Sequence, residues 1–491
     1  MTRYRCNVCM KFEYSSSDGY APAGIVPGME PSDLPGEWKC PVCGADRSHL
    51  RPVPEKTGSP GYGAVPLFPE PGSDYLTGSS QNHLPEDQIL PEQAIPLESH
   101  YEDIHTIAVT GKSIIDPMRT RKRVISWDDI LIVGAQLGKI PRDPDDEIGT
   151  RTIIGPRAKI PLVIETPIYV THMSFGALSR EAMIAISRGC AAVHTATCSG
   201  EGGILDEARS CAYRFIFEYV PNRYSVSEAT LRSADAVEIK IGQSAEPGLG
   251  ARLPAEKVTP EIASVRGYPS GVDIVSPAGF PDIRNRDDLL EKIRWLREKS
   301  GGKPVGVKIA AGDIEGDLDV IIHAGADFVT IDGRPGATGA ALKFVKDTTS
   351  IPAVHALSRA RAYLDERAAD GISLVATGGL RISPDFAKAL AIGADAVAIG
   401  TSALIACGCR QYRLCNTGRC PVGLTTQDPE LRKRFNIEES AKRLENFLRV
   451  STDELKQFAR LTGNTSVHAM GLRDLRTVNS EISDYTAIRH V

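Results

Sequence analysis

Between about residues 160 and 405 the chain repeats one rhythm: a short apolar run, a loop, then a stretch of helical character. The runs are Pro167–Thr171, Ala191–Thr195, Ala236–Ile241, Val272–Val275, Val305–Ile309, Phe328–Ile331, Ser373–Ala376 and Ala396–Ile399. They are rich in β-branched residues and do not alternate with polar ones. That pattern belongs to strands buried on both faces of a parallel sheet. Eight strand–helix units over about 245 residues predict the α/β class, as a (β/α)8 TIM barrel rather than a doubly wound sheet. Ala353–Leu357 is one further candidate strand.

The rest of the chain divides around this rhythm. Residues 1–52 are rich in turn formers and too poor in apolar mass to fold without a metal. Residues 53–100 hold most of the nine prolines, of 33 in all, found between 51 and 100, and read as an extended connector. Residues 101–160 form a lead-in, in which Trp127–Val133 is a short element expected to pack on the barrel. The barrel spans 161–428, with a cysteine-rich loop at 407–421. Residues 429–491 are mostly helical. There Ser451-Thr452-Asp453-Glu454 reads as a capping box, with Leu455, Phe458 and Leu461 on one face.

The charge balance, 57 basic against 62 acidic residues for a net −5, argues against a nucleic-acid groove. No apolar run reaches the roughly 18 residues of a membrane span, and the first residues lack a secretory apolar core. A cytoplasmic location is therefore expected. In a reducing compartment, patterned cysteines are metal ligands or catalytic groups rather than disulfides. Of the 11 cysteines, four stand near the start and four lie in the 407–421 loop.

Cys6-Asn7-Val8-Cys9 and Cys40-Pro41-Val42-Cys43 are two CxxC knuckles 30 residues apart. Each aims two thiolates at one point, and four thiolates in a tetrahedron suit zinc or iron. Tyr4, Phe12, Tyr14 and Trp38 supply an aromatic core beside them. The segment from Asp33 to Ala45, containing Glu37-Trp38-Lys39-Cys40-Pro41-Val42-Cys43-Gly44, closely resembles the second half of a rubredoxin. Tyr4-Arg5-Cys6-Asn7-Val8-Cys9 is similar to the first half. The resemblance implies one redox-active iron on Cys6, Cys9, Cys40 and Cys43; the alternative is a zinc ribbon that staples the N-terminus.

After the last predicted strand come Cys409, Cys415 and Cys420, the last followed by Pro421. Three thiolates ending in Cys-Pro are the pattern of iron–sulfur ligation, and three ligands favour a three-iron cluster. Cys407 is a conceivable fourth ligand at a tight spacing. The run from Cys415-Asn416-Thr417-Gly418-Arg419-Cys420-Pro421 to Gln427 resembles the iron–sulfur loop of glutamate synthases. The resemblance implies a [3Fe-4S] cluster on Cys409, Cys415 and Cys420.

Further stretches, in the same order along the chain, resemble the FMN-binding domain of archaeal-type glutamate synthases. They include Met173-Ser174-Phe175-Gly176-Ala177-Leu178-Ser179, Ser199-Gly200-Glu201-Gly202-Gly203, Glu238-Ile239-Lys240-Ile241-Gly242-Gln243, Gly378-Gly379 and Gly400-Thr401. Loops after the last two strands of such barrels hold phosphate with backbone N–H groups, which points to Gly378, Gly379, Gly400 and Thr401. Arg381 could add charge, while Asp385 reads as a helix cap. Lys308 ends a central strand, and a lysine aimed into a barrel mouth needs an anion, here the N1–C2 carbonyl region of a reduced flavin. Ser174, Gly176 and Ala177 would let the backbone approach the ring. By the same resemblance Glu201, Lys240, Gln243 and Arg266 face the substrate. Lys240 and Arg266 would clamp carboxylates and Glu201 would move a proton. Taken singly, each is equally a strand-end salt bridge.

The chain departs from the family pattern at Ser244-Ala245-Glu246-Pro247-Gly248, where Glu246 replaces the usual lysine, and at Gly336-Ala337-Thr338-Gly339. It carries neither a glutaminase-type N-terminal cysteine nor a GxGxxG unit. Tyr219–Tyr224, Leu231–Ala236 and the segment from Asp428 also resemble the flavin subunit of N-methylglutamate synthase. The expectation is a glutamate-synthase-like oxidoreductase acting on CH–NH2 groups. It would make L-glutamate from 2-oxoglutarate and ammonia with electrons passed through rubredoxin iron, [3Fe-4S] and FMN. Ammonia would come from solution or a glutaminase-type subunit, and electrons from an external donor protein or reductase, in a homo- or hetero-oligomer. The alternatives are a related enzyme with another amine or oxo-acid substrate, or an electron-transfer subunit active only in a larger complex.

Overall fold

A computed structural model describes residues 2–6, 12–42, 44–53 and 98–491, and the chain forms two compact units, Met1–Lys112 and Ser113–Val491. The division falls inside the 101–160 stretch read above as one lead-in, and helix Tyr101–Thr110 belongs to the first unit. Cys9, Cys43 and most of the proline-rich connector, 54–97, lie outside the described residues.

In the first unit, strand Arg3–Cys6 is flanked by Glu13–Ser15 and Leu50–Val53 in an antiparallel sheet. Phe12, Tyr14, Ile25, Leu34, Trp38 and Leu50 are buried against it. Tyr4 stacks on Tyr14 at 5.5 Å, and the Phe12 and Trp38 rings lie 5.7 Å apart. The Trp38 indole donates to the Ala23 carbonyl at 3.0 Å. A core of so few side chains is thin, and aromatic area compensates for its small size.

The second unit is built on eight parallel strands. They are β1 (Ile168–Val170), β2 (Ala196–Cys198), β3 (Arg214–Tyr219), β4 (Ala236–Lys240), β5 (Val305–Ala310), β6 (Phe328–Asp332), β7 (Ser373–Thr377) and β8 (Ala396–Ile399). The ladder runs β1-β8-β7-β6-β5-β4-β3-β2, and its two ends meet, which is the TIM-barrel arrangement. Alternation along each strand separates two cores. Val237, Ile239, Val305, Val307, Val329, Ile331, Val397 and Ile399 face the surrounding helices. Tyr169, Ala196, Ile216, Ala236, Phe328, Val375 and Ala398 fill the barrel, closed below by Ile154, Leu162 and Ile164 of a hairpin, Thr152–Ile154 with Leu162–Ile164.

Six of the eight predicted runs are barrel strands. Ala191–Thr195 is instead the end of helix Arg180–Ala192 and the turn after it, and the strand comes next, at β2. Val272–Val275 lies in a small hairpin, Arg252–Leu253 with Ile274–Val275, outside the barrel. The strand missed is β3, and Ala353–Leu357 opens a helix, Ala353–Glu366.

The C-terminal region is helical, as read, but Ser451–Glu454 is not a helix start. It lies within the long helix Ile437–Leu461, capped by Asn436, where Thr452 donates to the Leu448 carbonyl at 2.8 Å. That helix packs on Arg180–Ala192, where Ala441 and Leu444 lie against Gly189, and buries Leu444, Leu448, Leu455 and Ala459 along one face. Gly189 makes this crossing close, since a Cβ there would sit 2.9 Å from the Ala441 carbonyl oxygen. Trp127–Asp129 leads into strand Ile130–Ile132, which pairs with Leu475–Thr477. No described helix is long and apolar enough to cross a membrane.

Candidate functional site

The C-terminal ends of the strands open into a cavity of about 660 Å3. This is the end where TIM barrels carry their functional groups, and the volume lies in the ordinary ligand range. Ser174, Ala177, Glu201, Lys240, Gln243, Arg266, Lys308, Gly378, Gly379, Gly400 and Thr401 all line it, as do Cys409, Cys415 and Cys420. Gly176 does not. Its φ of +107° turns the chain beside Arg266 and Leu253, and its carbonyl accepts from Gln427 at 3.1 Å.

Strand register fixes the charges at the floor. Glu218 on β3 lies opposite Glu238 on β4, and Lys240 on β4 lies opposite Lys308 on β5. Two buried carboxylates side by side repel unless cations flank them. His172, from the loop after β1, inserts between them: Nε2 is 3.1 Å from Glu238, and Nδ1 is 3.7 Å from Glu218. Burial opposes ionisation of Glu238, but His172 and Lys308 more than offset it and hold its carboxyl below the usual range. Lys308 is 3% exposed and 3.5 Å from Asp332. Burial alone would discharge it, yet Asp332, Glu238 and Glu218 raise its pKa.

On one side of the cavity Lys240 pairs with Glu201, whose other oxygen accepts from Ser276. Burial works against the Glu201 carboxylate, and the charge and hydrogen bond of Lys240 keep it below the normal range. Arg266 donates to the Phe175 carbonyl at 2.8 Å and lies over the Tyr224 ring at 5.2 Å, leaving its buried Nε without a partner. Glu246 is held by Gln243 at 2.6 Å and Thr338 at 2.9 Å.

Opposite, Gly378 and Gly379 make a tight, left-handed turn after β7, with φ of +98° and +78°. A Cβ on Gly378 would lie 2.0 Å from the Gly333 carbonyl oxygen, so only glycine fits there. Arg381 is engaged elsewhere, with Asp385 at 2.9 Å and Asp128 at 2.7 Å, and Asp385 also caps the Arg381 backbone N–H.

The cysteine loop forms the remaining wall. Cys409 and Cys415 are half-buried and Cys420 is buried. Burial raises the Cys409 thiol to about 11, with Cys415 and Cys420 adding to the rise, and burial also raises Cys415. One metal ion would draw thiolates to within about 4 Å of one another. Among the described residues only His172, Glu218 and Glu238 bring three ligand atoms within 4.8 Å of one another, so the three sulfurs are spread more widely than that trio. Cys407 is buried outside the cavity wall and lies beside Cys190 as well as Cys409.

Lys257 links this wall to the floor. It is 5% exposed and donates at 3.2 Å to the carbonyls of Ala177, Cys415 and Thr425. Burial pushes its ammonium down to about 8, and the Cys415 and Cys420 thiols oppose that. Sequence reading missed Lys257, His172, Glu218, Glu238 and Asp332. The last three alternate inward on β3, β4 and β6, a period-two signal that was available for β4, where Glu238 precedes Lys240 by two.

In the first unit Cys6 and Cys40 are buried, and the Cys40 carbonyl accepts from the Gly44 N–H at 2.9 Å. Cys9 and Cys43 lie outside the described residues.

A family described as the conserved region in glutamate synthase matches residues 115–465, and rubredoxin matches residues 3–50. A glutamate synthase large subunit-like protein of Rhizobium meliloti is 37% identical over 399 residues, spanning 77% of this chain and 90% of its own. An archaeal-type glutamate synthase (NADPH) of Thermotoga maritima is 39% identical over 395 residues, spanning 78% and 75%. An archaeal glutamate synthase (NADPH) of Methanocaldococcus jannaschii is 36% identical over 430 residues, spanning 79% and 84%.

Proposed function

The chain belongs to the glutamate synthase family of oxidoreductases and carries an N-terminal rubredoxin domain. From that premise we propose that it makes an amino acid from a 2-oxo acid and ammonia, with 2-oxoglutarate giving L-glutamate as the leading case. The observation that carries the reading is the convergence on one cavity of a glycine turn, a lysine–glutamate pair, a buried arginine and three cysteines.

The residues present fit the groups this reading requires. Gly378, Gly379, Gly400 and Thr401 would hold the phosphate of FMN, Ser174 and Ala177 would border its ring, and Lys308 would face its N1–C2 edge. Cys409, Cys415 and Cys420 suit a [3Fe-4S] cluster. Cys6, Cys9, Cys40 and Cys43 would hold a rubredoxin-type iron. When bound, FMN supplies both hydride transfer and single-electron exchange, the junction a one-electron chain needs.

The protein's share is binding, orientation and proton handling. Lys240 and the unsatisfied Arg266 Nε offer cationic donors to a substrate carboxylate. Glu201, fixed by Lys240 and Ser276, is placed to exchange a proton at the substrate nitrogen. Gln243 and Thr338 fix the far wall through Glu246. Ammonia would arrive from solution or a glutaminase-type subunit, and electrons from an external donor or reductase.

Glu246 favours a second reading, a related enzyme whose substrate carries a different amine or oxo-acid end. A carboxylate locked toward this cavity opposes a dicarboxylate. The test is anaerobic: reduce with dithionite, add 2-oxoglutarate and ammonium, and follow flavin reoxidation. Reoxidation that needs both and yields glutamate supports the first reading. Reoxidation by other oxo-acid and amine pairs alone supports the second.

A further inference from the structure

Lys257 is a buried cation with no anion beside it. Its three acceptors are neutral carbonyls, and the ionisable groups near it are the uncharged Cys415 and Cys420 thiols and the like-charged Arg266. Tying three loops together needs only a hydrogen-bond donor, which a neutral side chain supplies. A full charge at 5% exposure carries a desolvation cost that dipoles alone do not offset. A lysine here therefore anticipates negative charge that comes with the loaded site. Three thiolates carrying a three-iron cluster bring that charge to the same wall. The Ala177 carbonyl, its third contact, belongs to the loop that borders the cavity on the β1 side.

Resting on the cofactor reading above, we propose that Lys257 sets the reduction potential of a cluster held by Cys409, Cys415 and Cys420. Its ammonium stabilises the extra negative charge of the reduced cluster and so raises that potential. No bond forms or breaks at Lys257 and no proton leaves it. The cluster gains one electron, a one-electron donor protein of the rubredoxin or ferredoxin class loses it, and the fixed cation makes that gain easier. A neutral residue here would leave the cluster a weaker acceptor. Lys257 touches the loop backbone rather than the reacting atoms, so it is a positioning residue for charge.

The test compares Lys257→Gln, Lys257→Met and Lys257→Arg in the full chain. The readouts are iron content, the paramagnetic resonance signal of the oxidised three-iron cluster, and its midpoint potential by redox titration. Gln keeps a donor without charge, Met removes both, and Arg keeps the charge. The expected result is a loaded cluster whose potential moves negative in Gln and Met alike and stays near wild type in Arg. Loading in Arg with loss in Gln and Met also supports the proposal. Equal potentials in Gln and wild type overturn it, as does loss of the cluster from all three variants, which makes Lys257 a structural clip. Wild-type protein with no three-iron signal defeats the cofactor reading itself, a separate outcome.

Discussion

Replacing Lys308 by methionine tests whether the cavity floor is a charge-compensated network or a set of independent groups. Lys308 is 3% exposed, lies 3.5 Å from Asp332, and shares the field of Glu238 and Glu218. Removing one partner of a buried pair leaves the other charge uncompensated, at about 3–5 kcal/mol. The unit Ser113–Val491 should unfold with an entropy of roughly 0.8 kcal/mol/K, so about 4 kcal/mol lowers its melting temperature by about 5 °C. The double variant Lys308→Met, Asp332→Asn removes both charges. Glu238 keeps His172 at 3.1 Å, so the loss should shrink to about 1–2 kcal/mol, or about 2 °C. Calorimetry of flavin-free protein measures these shifts. Photoreduction then reads the flavin potential, which should fall in both variants, since neither restores a cation at the N1–C2 edge. A single variant that melts within about 1 °C of wild type, or a double variant no better than the single, would refute the compensation argument. A flavin potential restored in the double variant would show that Lys308 acts only through the fold.

Lys240→Ala and Arg266→Ala should abolish turnover while flavin absorbance is retained; full activity in both would sink the substrate-site assignment. Cys415→Ser should remove the three-iron signal and leave the iron of the rubredoxin domain, checked by metal analysis with resonance spectra. Glu246→Lys should tighten 2-oxoglutarate binding at least about tenfold, or about 1.4 kcal/mol, in a flavin-perturbation titration. Glu201 titrates below its ordinary 4.5 in the fold, so its stabilisation is present above that pH and is lost as the pH falls through the lower folded value. The melting temperature should therefore fall as the pH drops below 4.5, and Lys240→Met should flatten that limb.

How legible each barrel strand is in the sequence depends on what that strand faces. β5, β6, β7 and β8 are apolar on both sides for most of their length, so they stand out as unbroken runs. β3 reads Arg214-Phe215-Ile216-Phe217-Glu218-Tyr219, and its charged residues disguise a strand that is buried almost throughout. Glu218 is there because the strand ends at the polar mouth, so the functional role of the position is what hid the element. The false runs err in the opposite way. Ala191–Thr195 ends a helix and Val272–Val275 lies in a hairpin where only Ile274 is buried, so composition alone could not tell these short runs from a barrel strand. The capping-box reading at Ser451 failed for another reason: Asn436 already caps the helix, and Glu454 accepts instead from Ser383 on a neighbouring helix.

The site shows the same division between what motifs carry and what only the fold assembles. The cysteines, the glycine turn, Glu201, Lys240 and Arg266 were legible because short spacings or ordered motifs mark them. His172 and Lys257 carry no local mark, and Asp332 opens a family-like stretch with no role read for it, since their partners lie on other strands and loops. The unmarked groups nevertheless decide the electrostatics. The motif residues bring Lys240, Lys308 and Arg266 into a space that Glu201, Glu218, Glu238 and Asp332 already make acidic. His172 bridges two of those carboxylates, and Asp332 neutralises Lys308. Each cation at the floor and on the substrate side, apart from Arg266, is thus paired before any ligand enters. Lys257 is the exception on the cysteine wall, held only by carbonyls beside the thiols. A floor in balance leaves a bound ring's charge to be stabilised by Lys308 only as far as Asp332 allows. A wall out of balance is where an anionic cluster, as proposed, would be stabilised. In physical terms, the family motifs mark which residues meet at the cavity, whereas the fold-assembled pairs determine the field that any ligand there would meet.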